Sequence, residues 1–433
     1  MCKITMKYGI ILITCLSLQS LALSVEFAGG TGEPNDPYQI ATAEQLVSIG
    51  SDYTLLHKHY ILIEDIDLDP NLPNGSVFTN ALIGQDGSDD INVHEGYSFS
   101  GFFDGKGHTI SNLHINVPYG FSAGLFGKLS GLVKDLHLSN VVVSGTPCGA
   151  IAGLLNPGGT IHGCSVTGQV SGFWKVGGLA GSNWYGSLVE CDAQVQAAGY
   201  DDIGGMVGGG PGGYLIRCET QADISGQQNV GGLVGSGGEG HIIECRATGR
   251  VTGTSSVGGL VGYANRTIIW RSSANCEVTA HESAGGLVGN ATEYAVLSLM
   301  NCYARGSISR SITGGLIGEG SHNQVINCYA ACELIGPEFG SRNGGPVIGG
   351  LFGDTRISES RPITVACFWD AEFSGIAVSS GSDPLELGTG LTTEQMRNED
   401  VFRSAGWDFS HTWMISEGDY PRLQWEIEDG NDL

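Results

Sequence analysis

The chain has 433 residues, with 70 glycines, 13 prolines, 41% hydrophobic residues and only 15% charged ones. That glycine content is roughly twice average usage, but there is no G-X-Y period and the apolar fraction is ordinary, so collagen and a disordered low-complexity tract are excluded. A net charge of −25 repels nucleic acid and anionic membrane surfaces, so neither is an expected partner, and what remains is a fold of short strands and tight turns.

Residues 1–24 read as a signal peptide. Lys3 and Lys7 form the positive region, an apolar stretch runs from Tyr8 to Leu18, and Ala22-Leu23-Ser24 supplies small residues for cleavage. Gln19 and Ser20 stop the run short of the ~20 apolar residues a spanning helix needs. The expectation is export, to the medium or the cell surface, with no membrane span in the mature chain. Leu12-Ile13-Thr14-Cys15 is a poor lipobox, which weighs against lipid anchoring at Cys15.

Residues 25–116 lack any repeat and are expected to form an N-terminal cap and the first irregular coils. Within them Thr42 to Ile49 should be a short helix, with Thr42 and Gln45 spaced as a capping box. Residues 60–69 alternate as a strand with one acidic face of Asp65, Asp67 and Asp69.

Residues 117–367 repeat. A Gly-Gly-apolar-apolar-Gly box begins at Gly177, Gly204, Gly231, Gly258 and Gly285, 27 residues apart each time, with outlying copies at Ala123, Gly149, Gly314 and Gly349. Cys164, Cys191, Cys218 and Cys245 keep the same 27-residue step, and so do Val170, Ala197, Ile224, Val251 and Val278. Around each cysteine the residues alternate. Ile243, Cys245 and Ala247 fall on one side of a strand, and Ile242, Glu244 and Arg246 on the other. Each repeat is therefore expected to hold three short strands: the glycine box, the cysteine strand and a strand around Val251. A unit of this size cannot bury its own apolar face, so the copies must stack. The fold class is an all-β, single-stranded parallel β-helix, right-handed because parallel crossovers almost always are. Residues 368–433 are expected to form a C-terminal cap and an acidic tail. Thr392 to Arg403 should be helical, and Trp407, Trp413, Tyr420, Leu423 and Trp425 should form an aromatic closing layer.

The glycine boxes at this spacing resemble the GLUG-motif repeats of bacterial exported proteins, including regions of immunoglobulin A-specific metallopeptidases and large adhesins. Gly101 to Ile110 resembles the entry coil of such β-helices, and Phe368-Trp369-Asp370 followed by Gly388 to Thr392 resembles their C-terminal closure. The resemblance covers most of the chain after residue 26. It implies an adhesin-like protein of the bacterial cell surface and attaches no catalytic role to the motif.

The metallopeptidase part of that family needs H-E-x-x-H, which is absent: His94-Glu95 and His281-Glu282 each lack the second histidine. Neither a nucleotide loop nor a Ser-His-Asp arrangement stands out, and no cofactor, metal or catalytic residue is assigned. The in-phase cysteines point the same way in neighbouring coils, which is poor disulfide geometry, so they are expected as a ladder of buried free thiols. The Asp65, Asp67, Asp69 stripe reads as a solvated face in preference to a Ca²⁺ site.

One edge stands out as a ligand-binding candidate. Trp174 and Asp201 are one period apart, with Tyr200 and Asp202 beside Asp201 and with Trp184, Tyr185 and Tyr214 in a neighbouring turn. Aromatic faces beside carboxylates can hold sugars. Adjacent Asp201 and Asp202 are not expected to point the same way, which weighs against catalysis. The reading is a non-catalytic exported β-helix that binds extracellular polysaccharide or a surface protein. The alternative is a polysaccharide lyase or glycoside hydrolase.

Overall fold

A computed structural model describes residues 25–85, 96–117, 121–292, 296–309, 312–336, 347–356, 361–382 and 386–428. The expected signal peptide with Cys15, His94-Glu95 and the end of the acidic tail lie outside them. The chain is a parallel β-solenoid whose coils each run through three sheets. In the coil that starts at Gln228, Gln228–Gly231 belongs to a 7-stranded sheet, Val234–Ile243 to an 18-stranded sheet and Arg246–Gly253 to a 13-stranded sheet. These are called the third, first and second sheets below. The register advances by one period in all three: Gln228 pairs with Ser255, Val234 with Val261 and Glu219 with Arg246. The step lengthens where loops are inserted, as between Ser273 and Tyr303.

The glycine box proves to be a corner and not a strand. Gly231 ends the third-sheet strand, Gly232 and Leu233 turn, and Val234 and Gly235 open the first-sheet strand. Close packing of backbone explains the glycines. A Cβ on Gly231 would lie 2.0 Å from the Val234 carbonyl oxygen, one on Gly232 2.2 Å from the Gly259 oxygen of the next coil, and one on Gly235 2.4 Å from the Ile203 nitrogen of the previous coil. No side chain fits in those gaps.

The cysteines also sit at a corner, between the first and second sheets. The residue before each takes a left-handed conformation, with φ of 54° at Glu190, 51° at Arg217 and 53° at Glu244. That residue resets the alternation, so Leu188, Cys191 and Ala193 are buried together while Val189 is only partly covered. The expected strict alternation through the cysteine therefore fails on its N-terminal side. All ten described cysteines are free and buried. Each corner thiol donates to nearby carbonyls: Cys245 Sγ lies 3.3 Å from the Ile243 oxygen and 3.4 Å from that of Leu215. Ser272 replaces cysteine in this column and keeps it satisfied, with its hydroxyl accepting from Cys245 N and donating to Trp270 O. Burial pushes the Cys367 thiol up to about 11, so this column is apolar filler and not reactive sulfur.

The N-terminal residues supply the first rungs. Tyr38–Ile40 pairs with His59–Leu62, which pairs with Phe102–Asp104. The helix spans Ala43–Ser48 and has both bonds of the capping box at Thr42 and Gln45. The expected strand over 60–69 is two strands on different sheets, His59–Leu62 and Ile66–Asp67, because the coil turns a corner between them. Tyr60, Phe99, Phe103 and Phe126 fill this end of the core with ring contacts, Phe99 to Phe126 at 5.0 Å.

At the other end the expected helix is split in two, Thr393–Met396 and Glu399–Ser404, the second capped by Asn398. The aromatic layer covers a sheet face. Trp407, Trp413 and Trp425 form one buried cluster with Tyr303, Tyr329 and Phe368. Tyr303 and Tyr329 stand on the outward side of the second sheet, since their neighbours Ala304 and Ala330 belong to the solenoid core. The buried Glu426 carboxylate accepts from Ser273 Oγ at 2.5 Å and from the Tyr303 hydroxyl at 2.8 Å, and the Trp425 indole donates to Arg271 O at 2.7 Å.

The glycine contacts give a paired prediction. Gly232→Ala should destabilise the solenoid by about 1–3 kcal/mol, the usual cost of overpacking. Gly240→Ala in the same coil should be close to neutral, because the nearest atom to its Cβ lies at 3.4 Å. Chemical denaturation of the two variants beside the parent checks this, and equal midpoints would refute the close-packing account of the box.

Candidate functional site

The third sheet and the corners at its two ends gather the aromatic and acidic residues: Phe173 and Tyr200 stand just before its strands Trp174–Gly177 and Asp201–Gly204, and Asp201 and Asp202 open the latter. Four of the seven third-sheet strands hold a left-handed residue at their second position: Lys175 with φ 55°, Asp202 with 58°, Asn229 with 51° and Ser256 with 55°. Asn and Asp tolerate this region better than most residues. The kink turns those side chains sideways along the corner, toward the start of the first sheet. Asp202 Oδ2 lies 2.8 Å from where a Cβ on Gly209 would sit, so the missing side chain at Gly209 makes room for the carboxylate.

Trp174 pairs with Asp201, and Asp201 with Gln228, as the period requires. Asp201 and Asp202 converge, against expectation, because the kink at Asp202 breaks the extended alternation. One amide nitrogen, Asn229 Nδ2, donates to Asp201 Oδ1 at 2.9 Å and to Asp202 Oδ1 at 3.0 Å. Burial, and then the charge of Asp201, raise the Asp202 carboxyl to about 6, and burial also raises Asp201. Asn229 bonds and the nearby Lys175 charge work the other way on both.

The aromatic residues form two groups. Tyr200 stacks on Phe173 with ring centroids 5.0 Å apart and planes 4° from parallel, and Phe173 also contacts Trp174 at 5.1 Å. Trp184, 41% exposed, turns its indole nitrogen onto Ser182 Oγ at 3.1 Å. Ser182 pairs with Gly209, so Trp184 stands one coil from the Asp202 carboxylate. Tyr185, at φ 60°, is exposed on the same irregular stretch of strand. Tyr214 is not brought to this group. It lies five residues beyond Gly209, about 16 Å along an extended strand, and stacks on His241 at 5.0 Å.

Phe173, Lys175, Asn229, Ser182 and Ser236, whose side chain bonds to Asp202, were missed by the sequence reading. Lys175, Asp202 and Asn229 are one period apart, so the phase that paired Trp174 with Asp201 would have found them. A second acidic group on the same corner also escaped notice. Glu319 accepts from Asn290 at 2.9 Å, and burial, with the charges of Asp354 and Glu282 beside it, raises its carboxyl to about 7.

The Asp65, Asp67, Asp69 stripe is engaged within the protein. Asp65 accepts from Thr109 N and lies against His108, Asp67 accepts from Asn112, and Asp69 accepts from Asn71. These bonds hold Asp65 and Asp67 below the usual carboxylate range. Among the described residues no three His, Cys, Asp or Glu side chains are grouped to hold a metal ion.

The raised Asp202 carboxyl predicts a pH dependence. A folded-state value above the unfolded one favours the protonated form in the fold. The contribution of Asp202 to stability is therefore fully present below about pH 4 and is lost as pH rises through about 6. Asp202→Asn should gain about 2 kcal/mol over the parent at pH 8 and gain nothing at pH 3.5. Thermal unfolding at the two pH values checks this. An equal effect at both would show that Asp202 carries no buried charge.

Comparison with known proteins places the repeat. The family model of the GLUG motif matches residues 226–252, one full coil. Halomucin of Haloquadratum walsbyi is 34% identical over 160 residues, which is 35% of this chain and 2% of halomucin. A protein of Evansella cellulosilytica, provisionally named a Gly-rich membrane protein, is 32% identical over 128 residues, covering 29% of this chain and 13% of that one. The chain thus spans a small fraction of the curated relatives it matches. A crystal structure of a protein from Bacteroides ovatus, provisionally described as an immunoglobulin A1 protease, aligns over 92% of this chain and 95% of that one, with 20% identity and a TM-score of 0.41.

Proposed function

We propose that this GLUG-repeat protein is an exported, surface-displayed solenoid that binds carbohydrate along its third sheet and the corners at the two ends of that sheet. The carrying observation is the run of aromatic rings beside a polar corner: Phe173 stacked on Tyr200, Trp174 next to them, and exposed Trp184 one coil from Asp202. Rings of this kind pack on the apolar faces of sugars, while Asp201, Asp202, Asn229 and Ser236 offer acceptors and donors for hydroxyls. Export follows from the reading of residues 1–24. Surface display is supported by the likeness to halomucin and to a Gly-rich membrane protein, and no described helix is long and apolar enough to cross a membrane. A role in adhesion would follow from glycan binding and needs no further chemistry. A glycan array probed with the purified chain should show binding, and Trp174→Ala with Trp184→Ala should weaken it at least about tenfold, the loss expected for two aromatic contacts. Unchanged binding by that double variant would place the ligand elsewhere.

One observation favours a second reading, a glycoside-cleaving enzyme. Asp201 and Asp202 share Asn229 and both have raised carboxyl values, so one can be protonated while the other is ionised near pH 6. That is the state an acid–base pair needs. A reducing-sugar assay on a polysaccharide panel decides it. Turnover that Asp202→Asn abolishes establishes the enzyme, and no turnover by the parent chain leaves the binding reading standing.

A further inference from the structure

The outward side of the second sheet is treated differently along its length. From Ser273 onward it is covered by the C-terminal segment through Tyr303, Tyr329 and Glu426. Upstream it is open. Strand Asp192–Ala198 alternates strictly, with Ala193, Val195 and Ala197 buried and Gln194 and Gln196 exposed. Its neighbours repeat the pattern: Gln169 pairs with Gln196, and the same register carries Gln194 to Gln221. Four glutamines thus form a block across three consecutive coils. They line two adjoining troughs of about 580 Å³ and about 480 Å³.

These carboxamides are unused by the protein. Among the described residues none of the four side chains takes part in a hydrogen bond, although their backbones are paired in the sheet. Other polar groups on the same face are tied to the next rung, Asn140 to Asn112 at 2.6 Å and Arg250 to Glu277 at 3.1 Å. The charges bordering the block nearly balance, with Asp192, Glu219 and Asp223 against Arg246 and Arg250.

We propose that this glutamine block is a second binding surface, separate from the aromatic corner, and that it takes a neutral polyhydroxylated polymer, an uncharged polysaccharide lying across the rungs. A carboxamide both donates and accepts, as a hydroxyl does, and carries no charge. Rungs ~4.8 Å apart offer the same group again and again to a chain of repeating sugars. A polyanion would meet a protein of charge −25, and a polycation would find only one excess negative charge at the block. The covered half of the face supplies the precedent. The row holding Gln194 and Gln221 continues through Thr248 and Asn275 to Arg305, and Arg305 there binds Asp419 and the Pro421 carbonyl of the C-terminal segment. The same row of outward positions thus already holds a chain segment three coils downstream of Gln221.

The test is affinity electrophoresis of the full chain through gels containing dextran, mixed-linkage β-glucan or the polyanion polygalacturonate. The parent should be retarded by at least one of the neutral polymers and not by polygalacturonate. The triple variant Gln194→Ala, Gln196→Ala, Gln221→Ala, made in a chain that also carries Trp174→Ala and Trp184→Ala, should lose at least about tenfold in affinity relative to that tryptophan double variant. Unchanged retardation of the triple variant overturns the proposal, as does preference for polygalacturonate. So does concentration-dependent dimerisation of the parent that the triple variant abolishes, which would make a second copy the occupant.

Discussion

The backbone contact at the glycine corner is the constraint on which the other features depend. Gly232 meets Gly259 across the coil boundary at a distance no side chain allows, and Gly205 meets Gly232 in the same way one coil earlier. A column of such contacts fixes where each coil must turn. With that corner fixed, each coil begins in phase with the one before it, and the three sheets share one register. Loops can be inserted elsewhere in a coil, as after Ala291, because they leave the corner untouched. Because each coil touches only its neighbours, damage at one corner stays local in origin.

The period made the fold legible, and local kinks set the limit of that reading. Three residue series at one spacing are enough to give stacked coils, parallel strands and an inward cysteine column. They do not show which part of the repeat bends. Alternation predicts a straight strand through Cys191, but Glu190 is left-handed, and a non-glycine residue in that region leaves little mark in the sequence. The same blindness applied at the site. Asp201 and Asp202 looked divergent because neighbours on a strand diverge. The kink at Asp202 makes them converge, and only Asn229, one period on, hints at it. The C-terminal aromatic residues were legible as a packing layer but not as a cover for the second sheet, since their contacts with Ser273 and Tyr303 span more than a hundred residues.

These kinks also explain why the corner carries chemistry. A straight third-sheet strand would send Asp202 into the core or out to solvent. The left-handed turn lays it along the corner instead, where it is largely desolvated yet reachable, and its carboxyl rises to about 6. Lys175, Asn229 and Ser256 share the geometry but not the chemistry. A uniform backbone thus presents a different side chain at each rung, and function can be written into one coil without altering the next.

A periodic scaffold restricts what can bind to it in a useful way. Ligands that match it are themselves extended and repetitive, since each added rung then adds a contact of the same kind. The glutamine block and the aromatic corner meet that condition through different chemistry, hydrogen bonding in one case and ring faces in the other. The acidic surface narrows the choice further, because a polyanion loses at every rung what a neutral chain keeps. The convergent Asp201–Asp202 pair is the exception. It occurs in one coil, and its neighbours at the same phase are Lys175 before it and Asn229 after it. A repeated feature suits binding along a chain, and a feature confined to one coil suits chemistry at one bond. Whether that pair transfers protons therefore decides between a passive surface and an enzyme, independently of how the rest of the solenoid holds its ligand.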